Sequence, residues 1–594
     1  MKQKLYGFLL MALLPAHGES RRSVVAVPAD KEKVLVSWRL LEKGEKFDVY
    51  RRRGDQLELV KKDFSGTSFL DEAGASGYEI RKRGEEKGVQ ANVLENNFLE
   101  IPISPPKGYR AGDCSAGDLD GDGEWELVVH MVGKGHDNSH SGLTTPPILD
   151  GYDRDGTRLW RINLGKNIRE GEHYTQFMVY DLDGDGYAEV ACKTADGSVD
   201  GKGVVIGDAS ADWVERNERS KRFGRVLRGP EYLTVFDGRN GAALKTVDYF
   251  PGRAPIDGWG GRGGNGGNDS YGNRCDRFLA CVAYLNGKKP SLVMCRGVYG
   301  RTVLTAWDWR DGKLTQRWVF DSKNPGNEFS GMGGHSLAVA DVDQDGHDEI
   351  VYQAMVVDDD GEGLFSTGRR HGDTLTVGDL DPDRDGMELY LVTENEGKTV
   401  AWQTAGAGLH CAKTGEAIWT HSPGKDLSNG LVADIDPRFA GCEVWDARSG
   451  LRTIKGKVIS RKGPRFQDWL IWWDGDLLRE IYGGYRVVKW NWTKEKEETV
   501  FQAGWPFRNG ETRRRSGVGR WPNLTADLIG DWREELLLLG PEGKSLRLYT
   551  TPIPSGHSIP WLMLDRQYRL SITHQNVVYN KAPQVSFFLG DDFE

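Results

Sequence analysis

The sequence predicts an all-β protein, a β-propeller preceded by a small β-sandwich. Three observations lead to that reading. An acidic loop running into an apolar strand recurs, as DLDGDGEWELVV at Asp118–Val129, DLDGDGYAEVAC at Asp181–Cys192 and DVDQDGHDEIVY at Asp341–Tyr352, with looser copies at Asp379–Leu391, Asp434–Trp445 and Asp527–Leu538. A second unit, strand–glycine turn–strand, recurs as YDRDGTRLW, VFDGRNGAAL, AWDWRDGKLTQRW, CAKTGEAIW and WWDGDLLREI; Asp-Gly and Asn-Gly between apolar runs are hairpin turns. Helical periodicity of the apolar residues is almost absent. One strand–loop–strand unit at uneven spacing, with the variation confined to its connections, is the pattern of a propeller.

In chain order, residues 1–18 combine Lys2 and Lys4 with an apolar run from Leu5 to Leu14 and small residues at Ala16 and Gly18. That is the pattern of a signal peptide, so the expected destination is the periplasm or the outside of the cell. Over residues 23–105, VLVSWRL, KFDVYRR, SFLDEA and GYEIRKR alternate apolar and polar positions between Gly- and Asp-rich turns. This predicts a small antiparallel sandwich similar to a fibronectin type III module, in a supporting role. Residues 106–594 are then the propeller, with Asp208–Arg228 and the glycine-rich Gly258–Asp269 as long loops. A length of 594 residues exceeds one ordinary core, which a ring of repeated sheets accommodates. The net charge of −10 argues against a nucleic-acid partner. Seven cysteines are few and odd in number, and several fall in strand-like runs, so buried small hydrophobes are expected rather than a disulfide framework.

The acidic loops ask for a cation. Asp118, Asp120, Asp122 and Glu126 stand at relative positions 1, 3, 5 and 9, matched by Asp181, Asp183, Asp185 and Glu189 and by Asp341, Asp343, Asp345 and Glu349. Carboxylates this dense repel one another unless neutralised. Oxygens at alternate positions of a turning loop converge on one centre, and hard oxygen donors favour Ca²⁺. Several calcium ions are therefore expected, stapling sheets together. Asp379, Asp381, Asp383 and Glu388 form a looser candidate set; Arg438 and Phe439 interrupt the copy at Asp434–Glu443 and remove it as a metal site.

Candidates for chemistry are fewer. His335 in SGMGGHSLAVADVD and His371 in GRRHGDTLTVGDLD precede successive acidic loops at equivalent positions, and His173 in GEHYTQFMVYDLD precedes another. All three should face one central funnel, with Arg301 and Asp373 in comparable places. A single such histidine is usually structural; the repeated placement favours function for His335 and His371. Asn138, in HDNSHSG, is a candidate sugar contact, and Arg513 opens a basic run that would suit an anionic substrate.

Several longer stretches, HYTQFMVYDLDGDG, ACKTADGSVDG, GPEYLTVFDGRNG, TVLTAWDWRDGKLTQRWVFDS, ADLIGDWREE and QYRLSITHQNVVYNKAPQVSFFLGD, resemble the bacterial rhamnogalacturonan lyases of polysaccharide lyase family 11, over nearly the whole mature chain. The resemblance implies an eight-bladed propeller with bound calcium, acting as a monomer on rhamnogalacturonan I, an anionic pectic polysaccharide, by β-elimination at galacturonate. It implies calcium beside His335 and His371, a sugar contact at Asn138, and a cleft-facing Asn509-Gly510 pair that contacts substrate; from their placement, Asp373 is expected as a further ligand, His335, His371 and Arg301 as catalytic residues, and Arg513 as a substrate contact. The neutral imidazoles suit either metal ligation or proton transfer. Two positions depart from the family pattern: Glu511 and Thr512 follow Asn509-Gly510 where a Thr-Lys pair is usual, and Ser428-Asn429-Gly430 replaces Gly-Arg-Gly. A calcium-stabilised propeller that binds pectic glycan or protein without cleaving it is the alternative reading. A glycoside hydrolase would need a dedicated carboxylate pair, and no such pair stands apart from the acidic loops.

Overall fold

The computed structural model describes residues 22–590, apart from residues 31, 73, 262–266, 324–325, 395–403, 423–425, 507–520 and 580. The expected signal peptide at 1–18, and Asn509, Gly510 and Arg513, lie outside the described residues. Among those described, the chain is all-β, its one α-helix being the eight-residue Arg566–Thr573.

Two small sheets come first. Val24–Pro28, Lys33–Trp38 and Ser68–Glu72 form one; Gln56–Phe64, Phe47–Arg53, Gly77–Lys82 and Val89–Asn92 form the other. Their inward positions, Val36, Trp38, Phe47, Val49, Tyr78 and Ile80, are fully buried and share one cluster, as alternation along a half-buried strand requires. Tyr78 and Arg51 both bind the Asp71 carboxylate at the edge of this core.

Eight antiparallel sheets follow among the described residues, seven built around a meander of four strands and the eighth around a meander of three. Their first strands are Arg110–Gly117, Phe177–Tyr180, Phe278–Ala283, Ala338–Ala340, Thr374–Gly378, Gly430–Ala433, Trp469–Ile471 and Leu524–Ala526. FLACVA and TLTVG are buried at every position, whereas the fourth strands, such as KEETVFQ, are half exposed. First strands of successive sheets touch one another from the first sheet to the sixth, and that of the eighth touches that of the first. The eighth sheet takes its fourth strand from far upstream: Phe98–Pro102 pairs with Ser545–Tyr549, Ile101 opposite Leu546. The sequence reading assigned Phe98–Pro102 to the N-terminal sandwich. Alternation alone does not say which edge a strand joins, and here the open edge lies in the last sheet.

The C-terminal segment fills the middle. Helix Arg566–Thr573 packs against the first strands of sheets one to four, with Tyr568, Leu570 and Ile572 fully buried. Backbone groups of first strands would otherwise be stranded there, and buried polar groups need partners. The Gln567 amide donates to Val377 O at 3.0 Å, Gln575 donates to Thr525 O at 2.8 Å, and Asn576 donates to Phe177 O at 3.1 Å.

Seven of the eight sheets open their second strand with a glutamate: Glu126, Glu189, Glu349, Glu388, Glu443, Glu480 and Glu535. Each carboxylate accepts a backbone N–H from the loop before it, from Leu119, Leu182, Val342, Leu380, Ile435, Trp473 and Leu528 at 2.7–3.0 Å. The glutamate therefore closes the acidic loop onto the sheet. WWDGDLLREI is one of these loops and not a hairpin of the second kind, because it joins the first and second strands of the seventh sheet. All seven cysteines are free; six are buried and Cys411 is partly so.

Candidate functional site

The site is built from loops that lead into inner strands. His173, His335 and His371 each stand three or four residues ahead of a first strand, and the structure brings them together. Ring centroids are 4.6 Å apart for His335 and His371 and 5.0 Å for His173 and His335. Glycine permits the approach. A Cβ at Gly372 would lie 2.2 Å from Val392 O, and one at Gly334 would lie 2.6 Å from Gly372 O. With those side chains absent, the His335 N–H reaches Gly372 O at 3.0 Å.

His335, His371, Asp373 and Glu394 present one donor atom each, all within 4.8 Å of one another. The His371 Nδ1–H donates to Gly333 O at 2.7 Å, which leaves the lone pair on Nε2, 3.5 Å from Glu394 Oε1. This Nε2 is buried and has no hydrogen-bond partner. His335 Nε2 faces Asp373 at 3.8 Å and the Tyr299 hydroxyl at 3.2 Å. Burial, together with the neighbouring His371, His173 and Arg277, holds the His335 imidazole neutral well below its ordinary pKa. Burial also raises the Asp373 carboxyl to about 6.

Aromatic rings and cations wall the cluster. Tyr299 lies 4.1 Å from the His371 ring, with the Arg274 and Arg277 guanidiniums over its faces at 4.4 and 4.7 Å. Tyr579 stacks on His335 at 4.3 Å. Arg277 also reaches His173 Nε2 at 2.7 Å. The Lys581 ammonium donates to Thr374 Oγ1 at 3.1 Å and lies 3.5 Å from Asn429 Oδ1, beside Asp373. Sequence reasoning missed Tyr299, Arg277, Glu394, Lys581 and Tyr579, which come from segments with no shared motif.

Two predicted residues are placed elsewhere or otherwise. Arg301 forks the Asp321 carboxylate at 2.9 and 2.7 Å and lies on Trp259, engaged there rather than on either histidine. Asn138 is fully buried and donates to Asp276 O, so it presents no open surface to a sugar. From the same loop it is Asp137 that approaches the cluster, 3.7 Å from His173 and 3.9 Å from Arg277.

The acidic loops form separate centres. Asp118, Asp120 and Asp122 converge within 4.8 Å, as do Asp181, Asp183 and Glu189, and Asp341, Asp343 and Glu349. Asp185 and Asp345 instead accept backbone N–H groups of Tyr187 and His347. Burial and the neighbouring aspartates push Glu126 and Glu189 up to about 8 and Glu349 to about 9. Glu349 Oε1 is buried without a hydrogen-bond partner. Such all-oxygen, charge-crowded sets fit calcium. The central cluster fits a divalent cation too, through His335, Asp373 and Glu394, and its imidazole donor sets it apart from the all-oxygen loops. In the looser set, Glu388 is held by Arg384 at 3.2 Å and Asp383 pairs with Lys455, while Asp381 accepts the Asp383 N–H. Asp379 lies at the head of that loop.

Residues 103–594 match the family described as rhamnogalacturonan lyase family 11, C-terminal domain. The chain is 46% identical to the rhamnogalacturonan exolyase YesX of Bacillus subtilis, over 96% of this chain and 94% of that protein. It is 45% identical to the rhamnogalacturonan endolyase YesW of the same organism, over 96% and 90%. The crystal structure of YesW superposes with a TM-score of 0.88 at 44% identity, covering 97% of each chain. A Bacillus licheniformis rhamnogalacturonan lyase superposes with a TM-score of 0.87 at 45% identity, again over 97% of each chain. The chain belongs to rhamnogalacturonan lyase family 11.

Proposed function

We propose that this protein is a rhamnogalacturonan lyase that cleaves the galacturonate–rhamnose backbone of pectin by β-elimination, on the inner face of a calcium-stabilised eight-bladed propeller. The observation that carries the reading is the His335–His371–Asp373–Glu394 cluster, walled by Tyr299, Tyr579, Arg277 and Lys581, in a chain of this family. The ring is supported by eight successive sheets, seven of four strands and the first of six, by contact between inner strands, and by the upstream strand Phe98–Pro102 completing the last sheet. We take residues 23–105 as a fibronectin III-like support, less its last strand, residues 1–18 as an export signal, and the active form as a secreted monomer.

Elimination needs an acidic C5 proton, a base and a route for charge. Lys581 and Arg277 offer cationic groups that draw charge from the uronate carboxylate. His335, Asp373 and Glu394 would hold a divalent cation, which when bound adds Lewis-acid withdrawal at that carboxylate. His371 Nε2 carries the lone pair that takes the C5 proton, and Glu394 stabilises the imidazolium so formed. The C5–H electrons become the C4–C5 double bond, the C4–O bond breaks with its pair, and the departing oxygen acquires a proton. No water is added.

The test is ultraviolet absorbance of the unsaturated uronate during incubation with rhamnogalacturonan I, with and without a chelator. Absorbance that rises with metal and stops with chelator is expected. Reducing ends without absorbance would mean hydrolysis, and binding with neither would mean a non-cleaving propeller; either result overturns the proposal.

A further inference from the structure

Three acidic loops keep the full spacing, while the loop of the seventh sheet receives a cation from a neighbouring strand. In the seventh sheet, the loop from Asp474 to Glu480 contains a cation of the protein's own. The Lys489 Nζ lies 2.5 Å from Asp474 Oδ2 and 3.4 Å from Glu480 Oε1, and it bonds Asp476 as well. Three carboxylates from one loop thus surround one ammonium. Glu480 has no exposed surface and closes the loop by accepting the Trp473 and Asp474 N–H groups at 2.9 and 3.1 Å.

Strand register explains how a lysine arrives there. Lys489 lies on Arg486–Asn491, the third strand of its sheet, where Ile481 faces Val488, so the next pair sets Glu480 against Lys489. At the same register Glu189 faces Asp237, Glu126 is set against Asp153 and Glu349 against Asp358. The three loops with the full acidic spacing therefore add negative charge at the position where the seventh sheet supplies a positive one.

We propose that Lys489 is the resident cation of the seventh-sheet loop, taking the place that calcium takes in the loops Asp118–Glu126, Asp181–Glu189 and Asp341–Glu349. The inference rests on the calcium reading of those three loops. Charge supports it. The loops Asp118–Glu126, Asp181–Glu189 and Asp341–Glu349 hold five, four and five carboxylates and no Lys or Arg, whereas Asp474–Glu480 holds three, Asp474, Asp476 and Glu480, with Lys489 against all of them. Its shorter span, with Leu478 at the fifth position where the full loops carry aspartate, removes the extra ligand a metal would need. An ammonium is a compact point charge with several donors, so it can satisfy oxygens from different directions much as a small ion does. Unlike an ion, it cannot be chelated away.

Hydrogen exchange on the intact, calcium-loaded protein tests this with and without chelator. The amides of Leu119, Leu182 and Val342, each bound to a loop-closing glutamate, should lose protection when calcium is removed. Those of Trp473 and Asp474 should keep theirs. Equal loss at Trp473 and Asp474 would overturn the proposal, while no change at any of the five would sink the calcium reading on which it stands. Lys489→Met keeps the stem and removes the charge. In chelator it should melt several degrees below the unaltered chain, and Asp476→Asn added to it should recover part of the loss. A Lys489→Met protein as stable as the parent, or an anomalous calcium peak between Asp474, Asp476 and Glu480 in crystals, would contradict it.

Discussion

At the scale of single residues the account turns on His371. Its Nδ1–H is spent on Gly333 O, so only Nε2 remains for chemistry, and that atom is buried without a hydrogen-bond partner beside Glu394. A buried imidazole nitrogen without a hydrogen bond is costly unless it has work to do. His371→Ala should lower kcat by roughly 10²–10⁴-fold, the range for loss of a positioned proton acceptor. Its urea midpoint should stay close to that of the parent. Activity within a few-fold of the parent would remove His371 from the reaction. That His335 and His371 would meet was legible in the sequence, because both precede a first strand at the same offset and those two strands are neighbours. Tyr299, Glu394 and Lys581 were not. Each reaches the cluster by tertiary placement of a loop whose residues carry no repeat. Asn138 was legible as a polar residue in a polar loop, but nothing in the spacing shows that its amide turns inward to Asp276 O.

At the scale of elements, the acidic loop is the unit that recurs, and its glutamate links metal to stability. Burial and nearby aspartates raise Glu126, Glu189 and Glu349 to about 8, 8 and 9, from an ordinary 4.5. Without calcium, the folded chain therefore holds protons that the unfolded chain has released. Stability from these groups is full below about pH 4.5 and is lost as pH rises toward 8 or 9. Calcium bound there as proposed would displace those protons, so its stabilising effect should grow with pH. The gap in melting temperature between calcium-loaded and chelated protein should widen from about pH 5 to about pH 9. A constant or shrinking gap would contradict calcium ligation by these glutamates. The loops with full spacing were readable from residues alone. The seventh was not, because its Asp474-Gly475 pair imitates a hairpin turn and its cation sits on a different strand.

At the scale of the whole molecule, the sheets place their most apolar strands inward and the C-terminal helix seals the middle with Tyr568, Leu570 and Ile572. The all-β class followed from period-two alternation and turn chemistry, which are local. The partner of Phe98–Pro102 did not, since an edge strand is completed by whatever edge remains open, here one more than four hundred residues away. That pairing ties an N-terminal segment of the chain to its last sheet. The central claim is that an acidic sugar chain seats its galacturonate over the His335–His371 cluster. The most direct measurement is a crystal structure of the His371→Ala protein with calcium and a rhamnogalacturonan oligosaccharide. The account predicts a galacturonate with its carboxylate turned toward Lys581 and Arg277 and its C5 about 3–3.5 Å from where Nε2 stood. Sugar bound away from the cluster, or a uronate carboxylate facing outward, would contradict it.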